Sequence, residues 1–323
     1  MQRIVCESFE EPAVVTLREE PTPVPGEGEV LVEVDAAGVS FVDDLIARGR
    51  YQVTPALPYT PGSTVAGRVA AVGAGVSAPA VDDRVAALLL TSFGGFTSHA
   101  VLPASAVVAV PAAVAPEIAA TAIESYCTLV FGVTRRVAVL PGEWVVVLGA
   151  GGGIGLAAVD VARGLGARVL AAASTPDKRD AATAAGAEAA IDYTDLKDRI
   201  REVTGGGADV VIDPVGGPSA EAALRALGTG GRFCVVGFAS GEIPRLPANI
   251  VLLRNRSIIG VDWGDWARDD HAAALELVAD VLGRISRGEL HPPRPQVLPL
   301  AEAPTAFAGY ANRTVTGKIA LRP

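Results

Sequence analysis

The apolar positions of this chain change period partway along it. From residue 1 to about 122 they fall in short runs, Val30-Leu31-Val32-Glu33-Val34 and the stretches 63–69, 84–88 and 106–110, separated by clusters of Gly, Pro and Asp. Short strands broken by such turns predict a β-rich barrel or sandwich. Within it only 43–48, DDLIAR, reads as a brief helix. Over 116–139 the residues Ala119, Ala120, Ile123, Cys127, Val130 and Phe131 recur three or four apart, as one face of a helix does, and the chain is expected to cross between domains there.

Beyond Trp144 strands alternate with helices. Strands are expected at 144–148, 168–173, 189–192, 209–213, 232–236 and 257–261, with helices near 154–165, 176–185, 195–203 and 218–227 and a poorer one before the last strand. Six strands in this rhythm fit a doubly wound parallel sheet of Rossmann type, and the fold class is α/β. After Gly264 come a long helix at 271–287, the Pro-rich HPPRP, a short helix near 301–310 and a strand at 318–321. These have no place in a six-stranded Rossmann sheet and are assigned back to the first domain. The expected division is 1–122, completed by 265–323, and 123–264.

The chain is organised around WVVVLGAGGGIGLAAVDVA, residues 144–162. A short, wholly apolar run reads as a buried parallel strand; it stops at a glycine cluster, and small and apolar residues then continue as a helix to Gly164 and Gly166. Strand, glycine turn and helix in this order form a dinucleotide fingerprint, in which the backbone approaches a pyrophosphate that faces the N–H groups of a helix N-terminus. The three fingerprint positions are Ala150, Gly152 and Gly155, the first departing from strict glycine. About 20 residues further on, a carboxylate would select NAD by holding its ribose 2′-hydroxyl. No acid ends that strand; Ser174 does, and Thr175 and Pro176 then make a natural N-cap and first helical residue. Lys178 and Arg179 therefore fall in a first helical turn, where cations oppose the dipole. Either an anion sits there or the two side chains are simply solvated.

Composition narrows the function classes. Half of the 323 residues are apolar and the formal charge is −9. A net negative chain with no basic block is a poor partner for nucleic acid or anionic membrane. MQRIVCESFEEP carries early charges and no signal-like apolar core, and no apolar run approaches the ~18 residues of a membrane helix, so a cytoplasmic protein is expected. Cys6, Cys127 and Cys234 are too far apart for a paired metal spacing and read as small buried hydrophobes.

Several stretches together carry a family likeness: AAGVSFVDDLIARGRY (36–51), LPYTPGSTVAGRVAAVGAGV (57–76), PGEWVVVLGAGGGIGLAA (141–158), DVVIDPVGG (209–217), GRFCVVGFASG (231–241) and TGKIAL (316–321). Over essentially its whole length the chain resembles the zinc-independent quinone oxidoreductases of the medium-chain dehydrogenase/reductase superfamily. The resemblance implies a β-rich GroES-like catalytic domain, closed by the C-terminal segment, beside an NADPH-binding Rossmann domain. It implies that Ser174, Lys178, Tyr193 and Arg313 hold the cofactor's 2′-phosphate, and that Thr128 lies near the nicotinamide. It further assigns Ala150, Gly152, Gly153, Ile154, Gly155, Val215, Gly237 and Phe238 to the cofactor site. Pairing of the last Rossmann strand with its two-fold mate, hence a homodimer, is also implied.

Zinc-dependent relatives carry a Cys ligand where this chain has Ser40 and a His ligand where it has Ser63, followed by Glu where it has Thr64. Neutral hydroxyls are poor zinc ligands, and no metal is expected. Quinone reductases usually carry Asn at the position of Ser40 and an apolar residue at that of Glu124. Glu124 is either an acid catalyst or substrate anchor, or a solvated helix residue. Tyr51 matches the proton-donating tyrosine of related enoyl-thioester reductases, or else is a tyrosine packed at a turn. Tyr51, Ser40 and Glu124 are thus the catalytic candidates. Phe41, Tyr59, Trp263 and Trp266 suit a pocket for a flat substrate, shaped also by 88–97 and 262–270, which carry no motif. The expected activity is NADPH-dependent hydride transfer to a quinone or an α,β-unsaturated ketone or thioester. An NADPH-binding sensor without turnover is the alternative of another class.

Overall fold

The computed structural model describes residues 1–90 and 92–323. The chain divides into two compact units, one made of Met1–Glu124, Ala267–Arg287 and Arg294–Pro323, the other of Ser125–Trp266 and Gly288–Pro293.

The first unit opens with β1 (Gln2–Cys6) and β2 (Val15–Glu19), an antiparallel two-stranded sheet. There follow β3 (Glu29–Val39), α1 (Phe41–Ala47), β4 (Thr64–Val72), β5 (Arg84–Leu88), β6 (His99–Pro103), β7 (Val107–Ala109) and the start of α2 (Pro116–Phe131). The long strand β3 pairs antiparallel with both β4 and β6, and its ladder with β4 shifts register twice. A close crossing sets the glycine opposite: a Cβ on Gly67 would lie 2.0 Å from the Glu33 carbonyl oxygen. At Gly38 it would lie 2.4 Å from the Ala120 carbonyl oxygen, so this glycine lets α2 settle on the end of β3. α1 begins at Ser40 because the two ends of its first turn satisfy each other: Asp43 N donates to Ser40 Oγ at 3.2 Å and Ser40 N to Asp43 Oδ2 at 2.8 Å, a capping box.

The second unit carries β8 (Trp144–Leu148), α3 (Gly153–Gly164), β9 (Arg168–Ala172), α4 (Pro176–Ala184), β10 (Ala189–Ile191), α5 (Leu196–Thr204), β11 (Ala208–Asp213), α6 (Pro218–Ala226), β12 (Leu227–Val235), α7 (Ala248–Leu252) and β13 (Ser257–Gly260). All six strands are parallel, in the order β10-β9-β8-β11-β12-β13. Counted from β8 this is 3-2-1-4-5-6, the Rossmann order, whose switch point lies between β8 and β11. Every residue of β8 is buried, as a strand covered on both faces requires.

The chain then runs through α8 (Trp263–Asp269), α9 (His271–Ser286), β14 (Gln296–Pro299), α10 (Ala303–Ala311) and β15 (Ile319–Arg322). β15 pairs antiparallel with β3 and parallel with β14, so the C-terminal segment completes the first unit's sheet. Val32, Val39, Val65, Phe96, Phe307 and Leu321 meet in that unit's core.

Three local expectations differ from the structure. Residues 288–293 lie in the second unit, because Asp160 of α3 accepts the His291 backbone N–H at 2.6 Å and approaches its Nδ1 at 3.3 Å. The helical spacing over 116–139 is realised only to Phe131; Gly132 opens a π-helical turn to Arg136, closed by Val137 N on the Gly132 carbonyl at 2.9 Å. β1, β2, β6 and β14 lie outside the runs picked from the pattern, their pairing being set by partners remote in sequence.

Candidate active site

The turn between β8 and α3 explains its own glycines. Gly149 has φ +61°, and a Cβ there would meet Val215 Cγ2 at 2.7 Å. At Gly151 the Cβ would meet Lys178 Cβ at 2.4 Å, and at Gly155 the Gly149 carbonyl oxygen at 2.2 Å and Ala150 Cα at 2.6 Å. Gly152 differs. Its φ is −87° and nothing lies nearer to its would-be Cβ than 3.5 Å, so no contact within the chain demands glycine. It is also the N-cap of α3 and offers no side chain to the first-turn N–H groups. Gly152 N is bonded to Gly149 O at 3.0 Å, and half-exposed Gly153 and Ile154 follow it in the first turn of α3, the kind of helix start a pyrophosphate faces. Ala150 is buried, its N–H bonded to Ala172 O at 3.1 Å, so the departure from glycine falls where the chain has room for a methyl group.

Tyr193 serves this turn directly. Its hydroxyl accepts from Gly149 N at 2.8 Å and donates to Ala172 O at 3.2 Å, tying the loop after β10 to the ends of β8 and β9. Its one hydroxyl proton is therefore committed to the backbone rather than offered to a phosphate. At the end of β9, Ser174 is exposed, and Thr175 caps α4 by accepting from Lys178 N at 3.3 Å. Lys178 lies half-buried over Gly151, and burial holds its ammonium below its usual value. Arg179 donates to Ala173 O at 3.0 Å, which places a second cationic side chain beside Ser174.

Across the switch point, Asp213 ends β11. Buried, it accepts from Val215 N at 2.8 Å and Gly216 N at 2.9 Å; burial raises its carboxyl above the usual range and these two N–H groups pull it back. This residue shapes the turn that carries Val215, a role the sequence pattern alone does not mark. Gly237 N and Ala239 N bond to Asp213 O and Pro214 O, and Phe238 is left partly exposed. Val215, Gly237, Phe238 and the fingerprint turn are thus brought to the carboxyl ends of adjacent strands. Thr128 lies buried on the α2 segment of the same unit. Arg313 belongs to the other unit, exposed after α10 with φ 58°.

In the first unit Ser40 is 3% exposed and donates through Oγ to Asp43 Oδ2 at 2.9 Å. Glu124 is not a solvated helix residue: Lys318 Nζ, just before β15, donates to Glu124 Oε2. In this pair the carboxylate is the acceptor. Burial works against the Lys318 ammonium, but Glu124, Tyr310 and Asp43 outweigh it and the net shift is upward. Asp43 is pushed up from 3.8 to about 7, first by burial and then by the Glu124 charge, against hydrogen bonds from Ser40 and the charge of Lys318. Tyr51 is half-buried in the loop after α1. Thr64 Oγ1 turns toward Gly38 O at 3.5 Å. Tyr59 stands between Phe9 and Phe93, with ring centroids at 6.4 and 6.0 Å. Two of the aromatics expected at the pocket have packing roles instead: Trp263 is buried, and Trp266 stacks on Phe131 at 5.1 Å beneath Arg135. Of the segment 88–97, Thr91 lies outside the described residues.

A twisted parallel sheet with a glycine turn at its switch point, joined in one chain to a β-rich unit, defines a dinucleotide-binding oxidoreductase architecture. Residues 153–280 match the family described as zinc-binding dehydrogenase and residues 26–112 that described as alcohol dehydrogenase GroES-like domain. The chain is 35% identical over 322 residues to quinone oxidoreductase-like protein 2 of Rattus norvegicus, covering 98% of this chain and 91% of that one. The quinone oxidoreductase of Escherichia coli, solved as an NADPH complex, superposes with TM-score 0.89 at 28% identity over the whole of both chains. That of Thermus thermophilus, also solved with NADPH, gives 0.83 at 32%, again over both whole chains. The chain belongs to the zinc-independent, quinone oxidoreductase-like family of the medium-chain dehydrogenase/reductase superfamily.

Two consequences can be measured. Gly155→Ala forces the methyl group into the Gly149 carbonyl and should cost about 1–3 kcal/mol in thermal unfolding, as overpacking does. Gly152→Ser meets no such obstacle, and its hydroxyl caps α3 itself; it should unfold like the unmutated protein yet lose dinucleotide affinity. The second consequence concerns pH. The Asp43 carboxyl titrates higher folded than unfolded, so the folded state holds the extra proton between about pH 4 and pH 7, and its stabilising contribution, full below that window, is lost as pH rises through it. Unmutated protein should therefore lose stability relative to Asp43→Asn across this window, by at most about 1.4 kcal/mol per pH unit. Parallel stability curves for the two proteins would show that Asp43 titrates normally.

Proposed function

We propose that this chain is an NADPH-dependent, metal-independent reductase that delivers hydride to a quinone or an α,β-unsaturated carbonyl compound. The observation that carries the reading is Gly152: a glycine with no need of being one inside the chain, at an uncapped helix N-terminus, in a chain similar to quinone oxidoreductases solved with NADPH. When bound, the cofactor supplies a hydride; the residues below bind it, orient it and handle the proton.

Gly152 brings the backbone close to the pyrophosphate, which the N–H groups of Gly153 and Ile154 face, while Ala150 and Gly155 allow the turn to close; Gly152 N itself is bonded to Gly149 O at 3.0 Å. Ser174 and Lys178 take the 2′-phosphate, with Arg313 as a further cation. Tyr193 acts through the turn it braces. Thr128, Val215, Gly237 and Phe238 form the nicotinamide end. Selection of NADPH follows from the absence of a carboxylate after β9: the acid nearest in sequence to Ser174, Asp177, is exposed and lies inside the first turn of α4. On the acceptor, the developing oxyanion needs donors, since the hydroxyls Ser40, Ser63 and Thr64 stand where a metal would need ligands. Tyr51 and Ser40 are those donors, and Glu124 contributes by fixing Lys318.

Oxidation of NADPH against a panel of quinones, enones and enoyl thioesters tests the activity. Turnover with at least one class is expected, and tight NADPH binding with none would favour a sensor. Lys178→Met keeps the carbon atoms that lie over Gly151 but removes one charged phosphate contact, worth about 1.5–3 kcal/mol. It should weaken NADPH roughly 10- to 150-fold and NADH little; equal dissociation constants for the two cofactors in the unmutated protein would sink the phosphate assignment.

The reading extends to a homodimer built on the second unit. β13 is the edge of the parallel sheet, Ile258 on it is 39% exposed, and Leu252 and Leu253 just before it are 78% and 60% exposed. An apolar edge without Lys or Pro calls for a cover. Light scattering should give a dimer for the unmutated protein and a monomer for Ile258→Lys. A stable monomer without the substitution would refute the assembly.

A further inference from the structure

Asp43 is 2% exposed, and among the described residues no cation forms an ion pair with it. The groups that face it are Glu124 on α2, Lys318 before β15, Tyr310 on α10 and Tyr59 after α1. Lys318 is spent on Glu124. The Tyr310 hydroxyl donates to Val39 O at 2.9 Å, and burial pushes it up to about 12, so it titrates far above neutrality. Tyr59 is pushed upward by burial as well, with Asp43's charge adding to the effect. One ammonium thus stands among two carboxylates, and ionising both would leave an uncompensated negative charge in a buried cluster. Such a charge is costly, and the proton stays on Asp43 to about neutral pH instead. Capping α1 does not require this arrangement, since Ser or Asn alone caps a helix without burying an acid.

Among the described residues, the hydrogen bonds of the Asp43 carboxyl lead that proton to Ser40. Asp43 Oδ2 lies 2.9 Å from Ser40 Oγ and accepts Ser40 N at 2.8 Å, while Ser40 Oγ accepts Asp43 N at 3.2 Å. A serine hydroxyl has a single proton. With Asp43 ionised, that proton points at Oδ2 and is unavailable elsewhere. With Oδ2 protonated, the carboxyl O–H donates back to Ser40 Oγ and frees the hydroxyl proton for another acceptor.

We propose that Asp43 is the proton store for Ser40, and that the two form a relay that protonates the reduced acceptor. The inference rests on the reductase reading above. As hydride adds to the acceptor, the displaced π electron pair arrives on its carbonyl oxygen. That oxygen takes the Ser40 Oγ proton, Ser40 recovers one from Asp43 Oδ2, and once the product has left, a solvent proton returns to Asp43 through Ser40. Asp43 acts through Ser40 and is a positioning and proton-supplying residue, not one that touches the acceptor.

The test joins a spectroscopic and a kinetic titration from about pH 5 to about pH 9. In the unmutated protein without cofactor, the infrared carbonyl band of a buried carboxylic acid should vanish with a midpoint near 7, be missing in Asp43→Asn, and shift in Ser40→Gly, a substitution that removes the hydroxyl at small cost to the cap. With a naphthoquinone and an aliphatic enone as acceptors, kcat should fall on the alkaline side with that midpoint. Asp43→Asn and Ser40→Gly should lose the alkaline limb and lower kcat about 100-fold or more on the enone, with NADPH affinity unchanged, and Ser40→Thr should restore both. A carboxyl titrating in the ordinary range, or a Ser40→Gly enzyme that keeps both rate and limb, overturns the relay. If no acceptor is reduced, the reductase reading falls and with it the relay's task, while the infrared titration still decides whether Asp43 stores a proton for Ser40.

Discussion

The second unit depends on one close approach, the contact of α3 with the turn that leaves β8. A Cβ at Gly155 would lie 2.2 Å from the Gly149 carbonyl oxygen, so strand and helix can meet at that distance only with hydrogen there. From that contact the rest is fixed. Gly149 must be left-handed, its N–H is turned to Tyr193, and the N-terminus of α3 opens at the switch point of the sheet. Val215 abuts the same turn from β11. The glycine cluster is therefore not uniform: Gly149, Gly151 and Gly155 are demanded by packing, whereas Gly152 is not.

Three buried aspartates show how the chain decides what a carboxylate does. Asp160 is surrounded by donors, Tyr126 Oη at 3.1 Å, Arg163 Nη2 at 3.1 Å and the His291 backbone at 2.6 Å, and it anchors a crossing segment. Asp213 receives two backbone N–H groups and builds a turn. Among the described residues Asp43 receives hydrogen bonds from Ser40 alone, with the Lys318 ammonium committed to Glu124. What sets the third apart is not the number of donors but a second carboxylate, Glu124, whose charge adds to burial in holding a proton on Asp43.

Much of this was legible in the sequence, for identifiable reasons. Strands covered on both faces, such as 144–148, are continuous apolar runs, and the N-cap at Thr175 and the stop at Gly164 and Gly166 are local signals that tertiary structure had no cause to override. Edge and hairpin strands were less legible because their hydrogen bonds come from distant residues; β6 exists because β3 is long enough to pair along it, and β14 because β15 lies beside it. At the candidate site the fingerprint could be read by spacing. The partners could not: nothing in the spacing places Lys318 on Glu124, separated by 194 positions, or commits the Tyr193 hydroxyl to Ala172. Ser40 was legible as a departure from its relatives, but its link to Asp43 required seeing that the acid is buried without a cation.

That link follows from the residues that stand where a metal would be held. A zinc site stabilises an oxyanion with fixed positive charge, available at any pH at which its ligands stay deprotonated. Ser40 and Ser63 offer only neutral dipoles, and Thr64 leans on the backbone of Gly38. On the reductase reading proposed above, donors meet the developing oxyanion and the proton it takes is stored before it is needed. A carboxyl that is ionised at neutrality stores nothing, and one protonated far above neutrality gives nothing up. The only environment that suits the task is one that holds an acid close to the working pH: burial strong enough to keep the proton, a single cation already engaged, and a hydroxyl relay to pass it on. The replacement of metal ligands by hydroxyls and the burial of Asp43 are, on this argument, two parts of one solution.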